Sequence, residues 1–189
     1  MCIRDSEDDT PIGSIGRPMI DMEVRIVDAA GDDVYVGDEG EIIVRGDNVF
    51  VGYLDDPEAT ARAIDAEGWL HTGDVAIVDE DGYFSIVDRI KELIKYNGFQ
   101  VPPAELEGLI VTHPKVADVA VIGVPDESAG ELPKAFVQLA PGEELTLEEL
   151  QAFVAEHLVS YKQIRLMEII DLIPKSASGK ILRRELRDR

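Results

Sequence analysis

One cysteine, Cys2, in 189 residues leaves no internal disulfide to form, which suits a reducing cytoplasm. No apolar run approaches the ~20 residues that a membrane helix needs. The opening MCIRDSEDDTP lacks the apolar core of a secretory leader. The chain therefore reads as cytoplasmic, with no membrane span. Positive charge is also scarce: 18 Lys and Arg face 39 Asp and Glu, a formal net charge of −21. Such a surface repels nucleic acid and anionic lipid, so neither is an expected partner.

The positive charge that exists is concentrated. Residues 161–189 hold eight Lys and Arg against four acids, a local balance of +4 that leaves −25 on residues 1–160. An anionic ligand has to be drawn in by the basic groups around 89–95 and 162–184. The overall acidity serves solubility or a salty habitat equally well, and the basic tail equally suits a helix C-terminus.

From Glu23 the pattern is β: Val24–Val27 alternates, Ala30-Gly31-Asp32 turns, and Glu41–Arg45 returns. Val49–Leu54 is a short apolar piece. Asp56-Pro57-Glu58 opens a helix to about Asp65, with Asp56 as its cap. Strands follow near Val75–Val78 and Tyr83–Val87 around the Asp79–Gly82 turn, with Asp-Gly as the hairpin signal. Beyond Arg89 the pattern changes. Pro102-Pro103-Ala104-Glu105 begins a helix with Leu106, Leu109 and Ile110 on one face, and Val116–Val124 and Lys134–Leu139 read as buried strands. Thr146-Leu-Glu-Glu149 is a capping box for a helix burying Leu147, Leu150, Val154 and Leu158. A strand near Leu166–Ile170, a Ser/Gly loop and a helix at about Leu182–Arg187 complete the chain. The class is α+β. Residues 1–88 are β-rich, with too few strands to close a barrel or sandwich, and read as the end of a larger domain. Residues 89–189 form a compact α+β unit with about three strands and flanking helices.

Chemistry concentrates in Gly68–Gln100. His71-Thr72-Gly73-Asp74 reads as a tight turn presenting a carboxylate, then comes Asp88-Arg89, and then a cationic strand carrying Lys91 and Lys95 and ending at Asn97-Gly98. An acid that accepts from paired hydroxyls, followed by an arginine and two lysines, suits a ribose bearing phosphate. Each piece also has a plain alternative: a turn, a surface ion pair, two solvated lysines on one strand face, and a turn glycine. The tail PKSASGK is no P-loop, since Pro174 stands where glycine is required and Ile181 where Ser or Thr is. Lys180 on such a mobile loop can still neutralise developing phosphoryl charge. His113 and His157 read as structural, and no cluster has metal-ligand spacing.

Together the segments GSIGRPMIDMEVRIVD, GEIIVRGDNVFVGYLDDPEAT, GWLHTGD, GYFSIVDRIKELIKYNGFQVPPAELE, HPKVADVAVIGVPDESAGELPKAFV and PKSASGKILRRELR resemble the C-terminal third of the adenylate-forming superfamily. The likeness is to the branch of coumarate–CoA ligases, fatty acyl-CoA synthetases and firefly luciferase, and it covers Gly13–Arg187. The resemblance implies an acid–thiol ligase: carboxylate and ATP give acyl-AMP and pyrophosphate, and CoA then displaces AMP. It implies that residues 1–88 end the large AMP-binding domain and that 89–189 are the small domain, with a hinge near 88–91. By likeness, Asp74 holds the ribose hydroxyls, Arg89 fixes the same nucleotide, and Lys180 serves adenylation. Lys91 sits at the pivot, while Lys95, Gly98 and Gln100 meet the acyl-adenylate and CoA after a swing. Mg2+ would arrive with ATP and find no protein ligand in this chain. Asn97 replaces a lysine common in plant ligases, and Ile164 a proline. Nothing here matches the family's phosphate loop, adenine segment or acyl pocket, and MCIRDS matches no family segment. The isolated chain is thus expected to be inert. The alternatives are an accessory module completing a separately encoded large domain, or loading of a carrier-protein thiol.

Overall fold

The computed structural model describes the backbone of Ile3 and Arg4 and residues 10–189; expectations for Cys2 and the rest of Met1–Asp9 fall outside the described residues. The chain is α+β and divides into two compact units, Met1–Lys91 and Glu92–Arg189. No helix among the described residues is long and apolar enough to cross a membrane.

In the first unit, β1 (Ile3–Arg4) pairs with β2 (Arg17–Pro18). Then β3 (Met22–Val27), β4 (Gly40–Gly46), helix α1 (Pro57–Ala63), β5 (Leu70–Val78) and β6 (Phe84–Arg89) follow. Strands β3 to β6 form an antiparallel sheet in sequence order. Period-two alternation places Ile42 and Val44 against Ile26, Ala76 and Phe84, while Ile43 points the other way onto Val27 and Trp69. Arg45 and Arg25 lie over the Trp69 ring at 4.4 and 5.3 Å, closing that second face. Asp56 caps α1 by accepting from the Ala59 N–H at 2.8 Å. The apolar piece at Val49–Leu54 forms no strand. Asp55 adopts a left-handed conformation (φ 54°) and the Asp56 N–H returns to the Tyr53 carbonyl, so the run closes into a turn. Val51 and Leu54 stay exposed.

His71–Asp74 is not a free turn but part of β5, and its ladder to β4 is interrupted there. Glu41 pairs with Val75 and Ile43 with His71, so Thr72, Gly73 and Asp74 stand opposite Ile42 alone. This bulge leaves backbone groups without ladder partners. Glu41 supplies them: its carboxylate accepts from the Gly73 N–H at 2.9 Å and from His71 Nδ1 at 2.8 Å. Thr72 Oγ1 donates to the Ile42 carbonyl at 2.7 Å. Gly73 takes φ +71°, where a side chain is disfavoured.

In the second unit, β7 (Ile94–Tyr96) and β8 (Phe99–Val101) make a hairpin, followed by α2 (Pro103–Ile110), β9 (Val116–Asp126), β10 (Gly130–Leu139), α3 (Leu147–Ala155), β11 (Leu166–Ile169) and α4 (Arg183–Arg187). The three expected strands, β9 to β11, are joined in one sheet by that hairpin. The central strand β10 pairs antiparallel with β9 on one side; on the other it runs parallel to β11 and meets β7 at Gly130. Val119 and Val121 face a core of Leu106, Ile110, Leu150 and Val154. Ala120 and Ile122 face Phe136, Ile173 and Leu186. The continuous apolar run in β9 follows from having both faces covered. The capping box at α3 is complete, with reciprocal bonds between Thr146 and Glu149 at 3.0 and 3.2 Å. Lys91 and Lys95 do not share a strand: β6 ends at Arg89, Lys91 lies in the turn that follows, and Lys95 lies in β7.

Two changes test this packing. Removing the Glu41 carboxylate (Glu41→Ala) strands the Gly73 N–H and should cost about 1–3 kcal/mol in urea unfolding of the first unit. No loss would mean that the bulge is held some other way. The Glu149 carboxyl lies below its ordinary 4.5, first through the Thr146 N–H and then through Lys115. A depressed carboxyl stabilises the fold above its unfolded value, and that contribution is lost as pH falls through the folded value. Glu149→Gln should therefore be less stable than the native chain at pH 7, the gap closing below about pH 4.5. A gap of constant size across the titration would contradict this.

Candidate functional site

Asp74 and Arg89 are direct cross-strand partners in β5 and β6, and Arg89 Nε lies 2.9 Å from Asp74 Oδ1. The Asp74 side chain is 28% exposed and that of Arg89 51%, so both remain open to a ligand. A carboxylate has about four acceptor positions, and one guanidinium contact leaves room for a pair of hydroxyls. Asp74 Oδ1 takes up Nε, and the Arg89 contact to the Thr72 carbonyl is long at 3.5 Å, so guanidinium donors face outward. Screened by solvent, the pair adds at most about 1 kcal/mol to stability. Its interest is chemical.

The same carboxylate borders a cleft of about 400 Å³, lined also by Phe50, Tyr53, Leu70, His71 and Thr72. The approach to β5 is fixed by Asp65, whose carboxylate accepts from the Glu67 and Trp69 N–H groups, each at 2.9 Å. Burial raises the Asp65 carboxyl, but these backbone donors and nearby His71 outweigh it and hold it below 3.8.

In the second unit, Lys95 and Gln100 are paired across β7 and β8 and exposed. The turn between them uses Asn97 (φ 49°) and Gly98 (φ 82°), the double left-handed geometry that a two-residue hairpin demands. Tyr96 and Phe99 occupy the opposite face of the hairpin; Phe99 stacks on Tyr161 at 4.5 Å between ring centres. That anchor turns Lys95 and Gln100 outward.

Lys180 lies elsewhere on the unit, on a closed turn rather than a loose loop. The Ser176 N–H donates to the Lys180 carbonyl at 2.8 Å, the Gly179 N–H to the Ser176 carbonyl at 2.9 Å, and the Lys180 N–H to Ser176 Oγ at 3.1 Å. Three of the turn's backbone donors, those of Ser176, Gly179 and Lys180, are thus engaged within it, and the Lys180 ammonium has no ion-pair partner among the described residues. Lys175 ties the base of the turn to Asp118. Asp118 pairs with Gln138, whereas Lys95 donates its N–H to Glu131 beside Gly130. The Lys175 anchor of the turn and the Lys95 hairpin thus meet β9 and β10 toward opposite ends, seven residues or roughly 24 Å apart along the strand.

Seven lysines occur in the chain. Lys115, Lys134, Lys162 and Lys175 are ion-paired. Among the described residues, the side chains of Lys91, Lys95 and Lys180 have no ion-pair partner. Sequence reasoning missed Glu41, Glu131 and Asp118, which hold these groups in place. Glu41 carried one faint signal, an acid heading an apolar strand. No group of three or more His, Cys, Asp or Glu side chains among the described residues can hold a metal.

Residues 105–180 match the family model of the AMP-binding enzyme C-terminal domain, and residues 1–54 that of the AMP-binding enzyme, so the opening MCIRDS falls inside a matched span, contrary to expectation. The chain is 51% identical over 178 residues to 4-coumarate–CoA ligase 3 of Oryza sativa subsp. japonica, covering 94% of this chain and 32% of that protein. It is 50% identical over 176 residues to 4-coumarate–CoA ligase 2 of Nicotiana tabacum, covering 93% and 32%. It superposes on ATP-bound MatB from Rhodopseudomonas palustris with TM-score 0.90 at 32% identity, covering 96% of this chain and 36% of that one. On the anthranilate CoA ligase AuaEII in complex with anthranoyl-AMP the TM-score is 0.85 at 33% identity, covering 100% and 36%. The chain thus spans about a third of the length of these relatives. With both family models matched in order and relatives near half identity along almost its whole length, the chain belongs to the adenylate-forming superfamily of AMP-binding enzymes.

Proposed function

We propose that the chain is the adenylate-gripping and pivoting portion of an AMP-forming acyl-CoA synthetase and acts only together with a preceding large-domain portion. The carrying observation is that three lysines have no ion-pair partner among the described residues, in a chain with 39 acids. Carboxylates to neutralise them are plentiful, so lysines left open answer to an anionic ligand instead. In the first half-reaction, a carboxylate oxygen attacks the α-phosphorus of ATP and the bond to pyrophosphate breaks. Lys180 offsets the charge that builds on the transferring group. Asp74 accepts from the ribose hydroxyls and Arg89 adds a donor to the same nucleotide. In the second, the CoA sulfur attacks the acyl carbonyl, AMP leaves, and the thiol proton passes to solvent. Lys95, Gly98 and Gln100 serve this step.

The two lysine-bearing ends of the second unit lie toward opposite ends of the β9–β10 ladder. A pivot at Lys91, within a hinge at 88–91, lets each end serve one step and then withdraw. Mg2+ would come with ATP, bound through its phosphates. CoA is the preferred acceptor because the curated relatives near half identity are CoA ligases. An amide bond synthetase, McbA from Marinactinospora thermotolerans, resembles the chain at 36% identity, so the acceptor is worth testing directly.

The test joins the chain behind the preceding portion of a coumarate–CoA ligase and measures each half-reaction separately. Lys180→Ala should slow pyrophosphate release by about 10²–10³-fold and leave thioester formation from supplied acyl-AMP nearly intact. Lys95→Ala should show the reverse pattern. Equal loss in both steps, or normal pyrophosphate release without Lys180, would overturn the reading. A panel of CoA, holo-carrier protein and amines identifies the acceptor.

A further inference from the structure

Three residues beyond Lys180, Arg183 is drawn into the second unit. Its Nη2 lies 2.8 and 2.7 Å from the two carboxylate oxygens of Glu107 in α2. The two side chains are 12% and 13% exposed. Glu107 Oε1 also accepts from the Val121 N–H at 2.8 Å, and Arg183 Nε reaches toward the Val121 carbonyl at 3.4 Å. Arg183 therefore joins α2, β9 and the C-terminal segment at one point. A second carboxylate, Glu92, lies 4.0 Å from Arg183 and 3.0 Å from Arg187. Leu186, 2% exposed, inserts beside Ile173 and Phe136 and fixes the far side of the same segment.

A turn carrying a reactive ammonium needs a rigid base, because a displacement of about 1 Å at a reacting group can cost 10²-fold in rate. The 174–182 turn has two such supports: Lys175 with Asp118 before the lysine and Arg183 with Glu107 after it. The first is the more exposed of the two, the second is nearly buried. We propose that Arg183, held by Glu107, is the positioning residue for Lys180, setting where its ammonium stands without touching substrate. This rests on the role given to Lys180 above. A guanidinium is suited to the task because Nη2 holds the Glu107 carboxylate while Nε reaches toward the Val121 carbonyl, so orientation as well as distance is fixed, which a single ammonium cannot do.

The test is hydrogen exchange by NMR on this chain, read at the Gly179, Lys180 and Leu182 amides against core amides such as Ala135 and Val137. Arg183→Lys keeps the charge but loses the second point of attachment toward Val121, and guards against the larger disruption of Arg183→Met. Both should speed exchange at the turn by roughly tenfold or more while the core amides hold their protection. Unchanged turn amides in the folded variants would overturn the proposal. An equal rise throughout the unit would do so too, since it marks a merely structural residue. In the joined enzyme, Arg183→Lys should slow pyrophosphate release and spare thioester formation from acyl-AMP. Equal slowing of both steps contradicts positioning, whereas normal pyrophosphate release in Lys180→Ala contradicts the role of Lys180 itself and leaves the exchange result standing.

Discussion

A strand paired on both sides cannot slip by one residue without turning its faces over, and β5 is such a strand. Its register against β4 and β6 fixes which way Asp74 points. The ladder to β4 breaks over Thr72–Asp74, and the ladder to β6 is irregular between Val75 and Ala76. Between those breaks the backbone is free to carry a carboxylate to the rim of a cleft rather than into the core. Glu41 makes the arrangement affordable by replacing the missing ladder partner of Gly73 with its own oxygen. Fold and chemistry meet in that contact: without an acceptor there, the bulge would leave a half-buried N–H unsatisfied.

The second unit solves a different problem. Its central hairpin buries both faces, one under α2 and α3 and the other under the C-terminal segment with Leu186. Covering the second face requires the chain to return across β9, and that return passes through the turn bearing Lys180. The basic tail is then less a free cationic arm than a set of anchored charges. Arg183 and Arg187 are engaged with Glu107 and Glu92, and Lys175 with Asp118. Among the lysines of this unit, the ammonium groups at positions 180 and 95 have no ion-pair partner among the described residues.

Much of this was legible in the sequence, for local reasons. The capping box at Thr146–Glu149, the Asp56-Pro57 helix start and the apolar alternation of β4 each depend on residues a few positions apart. The Asp81-Gly82 signal placed the turn into β6. Long-range choices were not legible. His71–Asp74 carries the residues of a turn, and only the carboxylate of Glu41, thirty positions earlier, turns it into a bulged strand. Lys91 and Lys95 look like one strand face, yet β6 stops at Arg89 and Lys95 belongs to the β7–β8 hairpin of the second unit. Arg183 and Glu107 lie 76 residues apart, and no spacing rule joins them. The roles proposed for Asp74, Arg89, Lys95, Gly98, Gln100 and Lys180 rest on resemblance, whereas the placement of Asp74, Arg89, Lys95 and Gln100 comes from pairing registers.

The central claim is that Asp74 and Arg89 form the rim of a nucleotide site. The most direct measurement is an NMR titration of the isotopically labelled chain with AMP, compared with Asp74→Asn. Asparagine keeps the shape of the side chain but gives up the charge that a ribose hydroxyl pair would seek. The account predicts shifts clustered at His71–Asp74 and Asp88–Ile90 that weaken strongly in the variant. Shifts centred elsewhere, or an identical response from Asp74→Asn, would contradict it.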